Sequence, residues 1–256
     1  MGLYAVTGAA SGIGRSVADA LRAEGHEVIT VDIRDADVVA NLADADACAA
    51  AVEDIQQRAP DGLDGFVPCA GVGPDAPAPR LLPLVNYFAV VAMVDGLRPA
   101  LEQKRGAVVL ISSNSSRMTA YNEDYMQALL NGDRDTAVKM VEEGPVDGQG
   151  AYGGGKQALV RWMRRNNSAA AAAGVRINAI APGYTETGMT ESGKNDPKYG
   201  QAIRDFVASI PIGRPGLPED QANAVSFLLS DKASFISGSV LFVDGGHDAV
   251  FRPDEF

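Results

Sequence analysis

Tyr152 and Lys156 stand four positions apart in the segment Ala151-Tyr-Gly-Gly-Gly-Lys156, at the head of a long helical pattern. On a helix, positions i and i+4 share a face. A phenol and an ammonium so spaced can point into one pocket. A nearby cation favours the phenolate and lowers a tyrosine pKa from its ordinary value of about 10. Such a tyrosine can exchange a proton with an alcohol or a carbonyl near neutral pH. The pair alone is a weak signal, because many surface helices carry a solvated tyrosine beside a lysine. It gains weight from the segments that come before it.

Residues 3–7, Leu-Tyr-Ala-Val-Thr, read as a short buried strand. Thr7-Gly-Ala-Ala-Ser-Gly-Ile-Gly14 follows, and then an amphipathic run through Arg22. The order is strand, glycine turn, helix, which places backbone amides at a helix N-terminus where phosphates bind. Gly8, Ser11, Gly12, Ile13 and Gly14 are the predicted phosphate-facing stretch. Gly8 permits the tight turn, Gly12 lets the backbone approach a pyrophosphate, and Gly14 allows close packing of helix on strand. The spacing is G-x-x-x-G-x-G, not the commoner G-x-G-x-x-G.

The next strand, Glu27-Val-Ile-Thr-Val-Asp32, ends in an acid about 20 residues past the turn, where a carboxylate accepts bonds from ribose hydroxyls. A carboxylate there repels a 2′-phosphate. Ser11 and Ile33 are neutral, and Arg34 lies one step further on. The pattern therefore predicts NAD in preference to NADP.

These residues must be held by a scaffold, and the rest of the chain describes one. Strands are predicted at about 3–7, 27–31, 64–68, 106–112, 175–181 and 239–243, with another short one near 37–40, alternating with helical stretches. Such alternation implies α/β architecture: a doubly wound, Rossmann-type parallel sheet of about seven strands with helices on both faces. No linker divides the 256 residues, and no fixed-period repeat appears, so a single domain is expected over 1–256. A hydrophobic content of 46% is enough for a substantial core.

A net charge of −11 argues against nonspecific nucleic-acid binding and against anionic membrane surfaces. No apolar run reads as long enough to span a bilayer, and no cleaved signal is expected. Cys48 and Cys69 form neither a disulfide framework nor a metal spacing, which points to a reducing, cytoplasmic compartment. His26 and His247 are isolated and read as turn or surface residues, and no metal-ligand cluster is visible.

Thr7–Gly14, Asp32, Cys69-Ala-Gly71, Asn86, Ser113, Tyr152, Lys156 and Pro182-Gly183 occur in an order that resembles the short-chain dehydrogenase/reductase family over nearly the whole chain. The resemblance implies roles. Tyr152 would be the general acid/base. Lys156 would lower its pKa and hold the nicotinamide ribose. Ser113 would orient the substrate oxygen, with Ser112 as its rival, since the family usually uses the second serine of such a pair. Asn86 would support a relay water near Lys156. Pro182, Gly183, Thr185 and Thr187 would meet the nicotinamide, and Asn41 and Leu42 would frame the adenine. Cys69 stands where most members have asparagine. That change removes one side-chain hydrogen bond to the sheet but leaves the backbone contacts of Cys69, Ala70 and Gly71 to the adenosine ribose.

The resemblance also exposes a departure. Ser113 and Tyr152 lie much farther apart than the family usually places them. The insertion, about 114–149, holds two helical patterns, Glu123–Leu130 and Asp133–Glu143, and carries seven Asp/Glu against three Lys/Arg. A loop this long in a compact domain is usually functional. In many members the tyrosine helix packs on its symmetry mate. The insertion should crowd that surface and leave a homodimer formed near the last strand, at Ser237–Asp244.

A substrate lid is expected at about 187–208, where Gly188, Gly193 and Gly200 allow closure and Met189, Tyr199, Ile203 and Phe206 could border an apolar pocket. The implied reaction is NAD-dependent interconversion of a hydrophobic secondary alcohol and its ketone. Steroids, terpenoids and sugar alcohols are the substrate alternatives. A non-catalytic dinucleotide-binding protein on the same fold would usually lack the tyrosine or the lysine.

Overall fold

The computed structural model describes residues 1–118, 120–190 and 200–255. One seven-stranded sheet organises them: β1 Leu3–Thr7, β2 Glu27–Asp32, β3 Val38–Val39, β4 Gly65–Pro68, β5 Ala107–Ile111, β6 Arg176–Pro182 and β7 Val240–Val243. The order is β3-β2-β1-β4-β5-β6-β7, and every pairing is parallel. The chain first winds outward from β1 to β3, then returns to the other side of β1 as β4. This reversal opens a crevice beyond the carboxyl ends of β1 and β4, the usual binding place on an open α/β sheet.

Alternation along the strands sorts the core into two layers. In β5, Val108 and Leu110 face one layer, with Phe66, Leu97, Trp162 and Ile177. Ala107, Val109 and Ile111 face the other, with Val6, Val17, Leu21 and Val225. Side chains on a strand alternate faces, so a strand buried on both sides must be apolar throughout. Helices α1 (Gly12–Ala23), α2 (Ala45–Arg58), α3 (Leu81–Lys104), α4 (Ser115–Met118), α5 (Glu123–Leu130), α6 (Arg134–Glu142) and α7 (Gly148–Ala172) follow in chain order, and α8 (Gly200–Ala208), α9 (Pro218–Leu229) and α10 (His247–Phe251) complete the described set. α1 and α9 pack together on the second layer, while α2, α3 and α7 cover the first.

Two expectations change here. By length and composition, α3 is apolar enough to cross a membrane, and half of its most apolar stretch is buried within the fold. Its apolarity serves the first core layer through Met93, Val94, Leu97 and Leu101. His247 is wholly buried, not a surface residue. It sits between the rings of Phe206 and Phe251, at 4.3 and 4.6 Å between centroids. A histidine next to two glycines reads as loop, but this one opens α10 against α8.

Candidate active site

A cavity of about 490 Å³ lies at the crevice. The glycine turn supplies Gly8, Ser11, Gly12, Ile13 and Gly14 to its wall. Asp32, Ile33, Asn41 and Leu42 close one end, and Cys69, Ala70 and Gly71 continue from β4. Ser113, Tyr152 and Lys156 stand at the other end, facing Pro182, Gly183, Thr185 and Thr187. Of the predicted catalytic and cofactor-binding residues, only Asn86 is not on the wall.

At Gly8 and Gly14 the turn has no room for a side chain. Gly8 has φ +67°, and a Cβ there would come within 2.8 Å of the Ala70 backbone. A Cβ on Gly14 would meet the Gly8 carbonyl oxygen at 2.3 Å. The Thr7 hydroxyl accepts the Ala70 N–H at 2.9 Å, tying the ends of β1 and β4 together. The Asp32 carboxylate accepts the Ala10 N–H at 3.0 Å on one oxygen and the Ile33 N–H at 2.7 Å on the other. Each oxygen has two acceptor sites, so each keeps one for a ribose hydroxyl. A bare amide-lined turn with a carboxylate beyond it fits a dinucleotide.

At the reacting end, Lys156 is buried and its Nζ donates to the Ile111 carbonyl at 2.7 Å. Nζ lies 5.8 Å from the Tyr152 ring centre. Burial pulls the Lys156 pKa down to about 8. Burial raises that of Tyr152, against the lowering effect of Ser113, and Tyr121 adds to the rise. The i, i+4 spacing alone predicts a lowered tyrosine. In the protein by itself, desolvation wins, because the ammonium is aimed at a carbonyl and not at the phenol. Burial also pushes the Cys69 thiol up to about 12, so it is not a thiolate here.

The two rival serines do different things. Ser112 donates its hydroxyl to the Lys156 carbonyl at 3.3 Å, fastening α7 to β5. Ser113 lies beside Tyr152 on the cavity wall, where it lowers the phenol's pKa, and accepts two hydrogen bonds from Ser115. Asn86 sits in a π-helical turn, Leu84–Ala89, at the start of α3. Its amide closes two bonds with the Val72 backbone: Val72 N–H to Oδ1 at 2.8 Å, and Nδ2 to the Val72 carbonyl at 2.9 Å. The side chain therefore secures the segment after Gly71, and Oδ1 and Nδ2 each keep one further hydrogen-bonding position.

Beyond the reacting groups the wall is apolar, formed by Val72, Leu81, Val85 and Met189. Leu81 and Val85 were not among the expected residues, although their i, i+4 spacing just before Asn86 is a usable signal. Phe206 and Ile203 are not on this wall, and Phe206 packs on His247 instead. Of the expected lid, Thr187–Thr190 is held by the Thr190 hydroxyl, which donates to the Thr185 carbonyl at 2.7 Å and accepts the Thr187 N–H at 3.0 Å. Residues 191–199, with Gly193 and Tyr199, lie outside the described residues.

The insertion folds as α4, α5 and α6, and Asn122 and Asp133 cap the last two. It packs on α7 through the buried Tyr125, a Gln157 bond to the Ser116 carbonyl at 2.8 Å and an Arg161–Glu123 ion pair at 2.8 Å. At its far side, Arg134 donates to the Ala43 carbonyl at 2.7 Å, directly behind Asn41 and Leu42. The insertion thus braces both ends of the cavity.

Comparison with known proteins agrees with this geometry. Residues 3–125 match the family model described as short chain dehydrogenase, and residues 136–248 match that described as Enoyl-(Acyl carrier protein) reductase. The chain belongs to the short-chain dehydrogenase/reductase family, whose members are NAD(P)-dependent oxidoreductases. It is 38% identical, over 100% of both chains, to the 3-alpha-hydroxysteroid dehydrogenase/carbonyl reductase of Comamonas testosteroni. It is 31% identical to the cis-4-hydroxycyclohexanecarboxylate dehydrogenase of Sinomonas cyclohexanicum, over 96% of each. The crystal structure of the 3-alpha-hydroxysteroid dehydrogenase of Pseudomonas sp. B-0831, complexed with NADH, superposes with a TM-score of 0.95 at 41% identity, covering 99% of this chain and 100% of that one.

Proposed function

We propose that the protein interconverts a hydrophobic secondary alcohol and its ketone with NAD as its preferred dinucleotide, in the manner of a 3α-hydroxysteroid dehydrogenase/carbonyl reductase. The observation that carries this reading is the meeting of Tyr152, Ser113 and Lys156 at one end of a cavity whose other end is closed by Asp32. The nicotinamide, when bound, exchanges a hydride with the carbon bearing the oxygen. The chain's own residues handle the oxygen and its proton.

In oxidation, Tyr152 as phenolate takes the hydroxyl proton. Ser113 donates to the same oxygen and holds it in place. The Lys156 ammonium holds the nicotinamide ribose, and its charge, with that of the oxidised nicotinamide, offsets the burial that otherwise keeps Tyr152 protonated. In reduction, the Tyr152 phenol returns the proton to the carbonyl oxygen. Asn86, fixed by Val72, would support a relay water near Lys156 through its backbone or the amide positions that Val72 leaves open. Val72, Leu81, Val85 and Met189 favour a flat apolar alcohol over a sugar alcohol. Two free cysteines suit a cytoplasmic setting.

The test is a panel of 3α-hydroxysteroids, other hydrophobic secondary alcohols and sugar alcohols, run with NAD and NADP and followed by the absorbance of the reduced nicotinamide. Turnover of the apolar alcohols with NAD is expected, and turnover of sugar alcohols alone would overturn the substrate reading. Asp32→Ala should narrow the gap in kcat/KM between NAD and NADP by relieving repulsion of the 2′-phosphate. A wild-type preference for NADP would remove Asp32 from the ribose.

A further inference from the structure

We infer that Ser115 is a positioning residue for the reaction: by filling both acceptor sites of the Ser113 hydroxyl, it makes that hydroxyl a donor only. The inference rests on the role proposed above for Ser113. The Ser113 oxygen accepts the Ser115 backbone N–H at 3.2 Å and the Ser115 hydroxyl at 2.9 Å. A hydroxyl oxygen has one proton and two acceptor sites. With both sites taken, Ser113 cannot accept a proton bond from the substrate alcohol or from a Tyr152 phenol. Its one proton must point at whatever oxygen faces it. The substrate proton in oxidation then has a single destination, Tyr152. Hydrogen bonds into a donor also strengthen the bond it gives, so the Ser113 bond to a phenolate or an alkoxide-like oxygen gains strength.

A serine whose oxygen accepts the N–H two residues on is an ordinary device at the start of a helix. The second bond, from the Ser115 side chain, goes beyond it. Ser115 does not line the cavity, so it acts only through Ser113. Its turn is held from two sides. The Tyr121 hydroxyl donates to the Ser115 carbonyl, and Gln157 Nε2 donates to the Ser116 carbonyl at 2.8 Å. Tyr121 belongs to the insertion and Gln157 to the helix of Tyr152, which links the inserted segment to the chemistry.

The experiment compares Ser115→Ala, Ser115→Thr, Ser113→Ala and the Ser113→Ala/Ser115→Ala double variant. Ser115→Ala keeps the backbone bond and loses the hydroxyl. It should lower kcat roughly five- to tenfold, the scale of one hydrogen bond, and leave NAD affinity unchanged. The acidic limb of the pH profile for oxidation should move to higher pH, because a weaker donor lets the phenolate take up a proton more readily. Ser115→Thr should restore both. In the Ser113→Ala background, Ser115→Ala should have no further effect.

Wild-type kcat and an unmoved limb in Ser115→Ala, with Ser113→Ala severely impaired, would overturn the inference and leave Ser113's role standing. Independent, multiplying losses in the double variant would overturn it too, as would a Ser115→Thr as impaired as Ser115→Ala. Wild-type turnover in Ser113→Ala would instead bring down the underlying reading.

Discussion

Folding strips water from Tyr152 and Lys156, and in both cases this favours the neutral form. The reaction needs the opposite state for oxidation, phenolate beside ammonium. The site is therefore poised and completes its charge balance only with its ligands. Tyr152→Phe keeps the ring and loses the proton. Turnover should fall by at least about 10²-fold while NAD binding changes little, as steady-state kinetics and a fluorescence titration would measure. Near-wild-type turnover would take Tyr152 out of the mechanism.

Lys156 allows a thermodynamic check. Its pKa falls from 10.5 to about 8 on burial. Between those values the unfolded chain binds more protons than the folded one, so wild-type stability should rise with pH across this window. Below about pH 8 both states are protonated and the full penalty applies. Lys156→Met should then be inactive yet more stable than the wild type at neutral pH, by up to ~3 kcal/mol, with its advantage shrinking toward pH 10.5. Urea melts at several pH values would follow this, and equal stability at neutral pH would show that the buried ammonium carries no penalty. The spacing of Tyr152 and Lys156 was legible in the sequence, but the direction of their pKa shifts was not. It depends on how deep each group lies and on Lys156 turning to Ile111, which are facts of packing. The hidden place of His247 was illegible for the same reason.

At the scale of elements, the anomaly is α7. Three glycines separate Tyr152 from Lys156, and each interior glycine costs a helix about 1 kcal/mol relative to alanine. The insertion accounts for one of them. A Cβ on Gly153 would lie 2.3 Å from the Tyr121 hydroxyl and 2.4 Å from its ring. Gly154 is in ordinary contact with Tyr121 and Tyr125 at 3.4 Å, and Gly155 has only the Tyr125 hydroxyl at 4.0 Å. Gly155→Ala should therefore stabilise the protein by about 1 kcal/mol. Gly153→Ala should destabilise it by about 1–3 kcal/mol through overpacking and, by displacing Tyr121, lower turnover as well. Thermal melts of the pair would decide it, and equal effects of the two would mean that the insertion does not press on α7. The last two helices of the insertion were legible as helical patterns, and Asn122 and Asp133 start them, their side chains accepting backbone N–H groups of the first turn. Strand positions followed from the βα alternation. The π-helical turn at Asn86 left no mark in the sequence, because it follows from what the side chain must reach across the fold.

At the scale of the whole molecule, the insertion decides which surfaces are open to a second copy. α4 and α5 cover part of α7 by way of Tyr125, Gln157 and Glu123. β7 is the outer strand at one end of the sheet. Around β7 the chain exposes large apolar groups: Phe227 at 41%, Phe235 fully, and Leu241 at 40%. They come from the helix beside the edge strand, the turn leading into it and the strand itself. A two-fold contact uses one patch twice, and this patch is better suited to it than the crowded face of α7. We therefore expect a homodimer through the β7 surface. Phe242 is a poorer probe of that contact than its place in the strand implies, because it is half-buried and lies 5.4 Å from the Arg252 guanidinium. A charge at Phe242 would disturb the protomer itself. Leu241→Asp is the cleaner test: it should convert the dimer to monomers in light scattering while the far-UV spectrum stays unchanged. A tetramer paired through α7, or a Leu241→Asp protein that remains dimeric, would overturn the assignment of the interface.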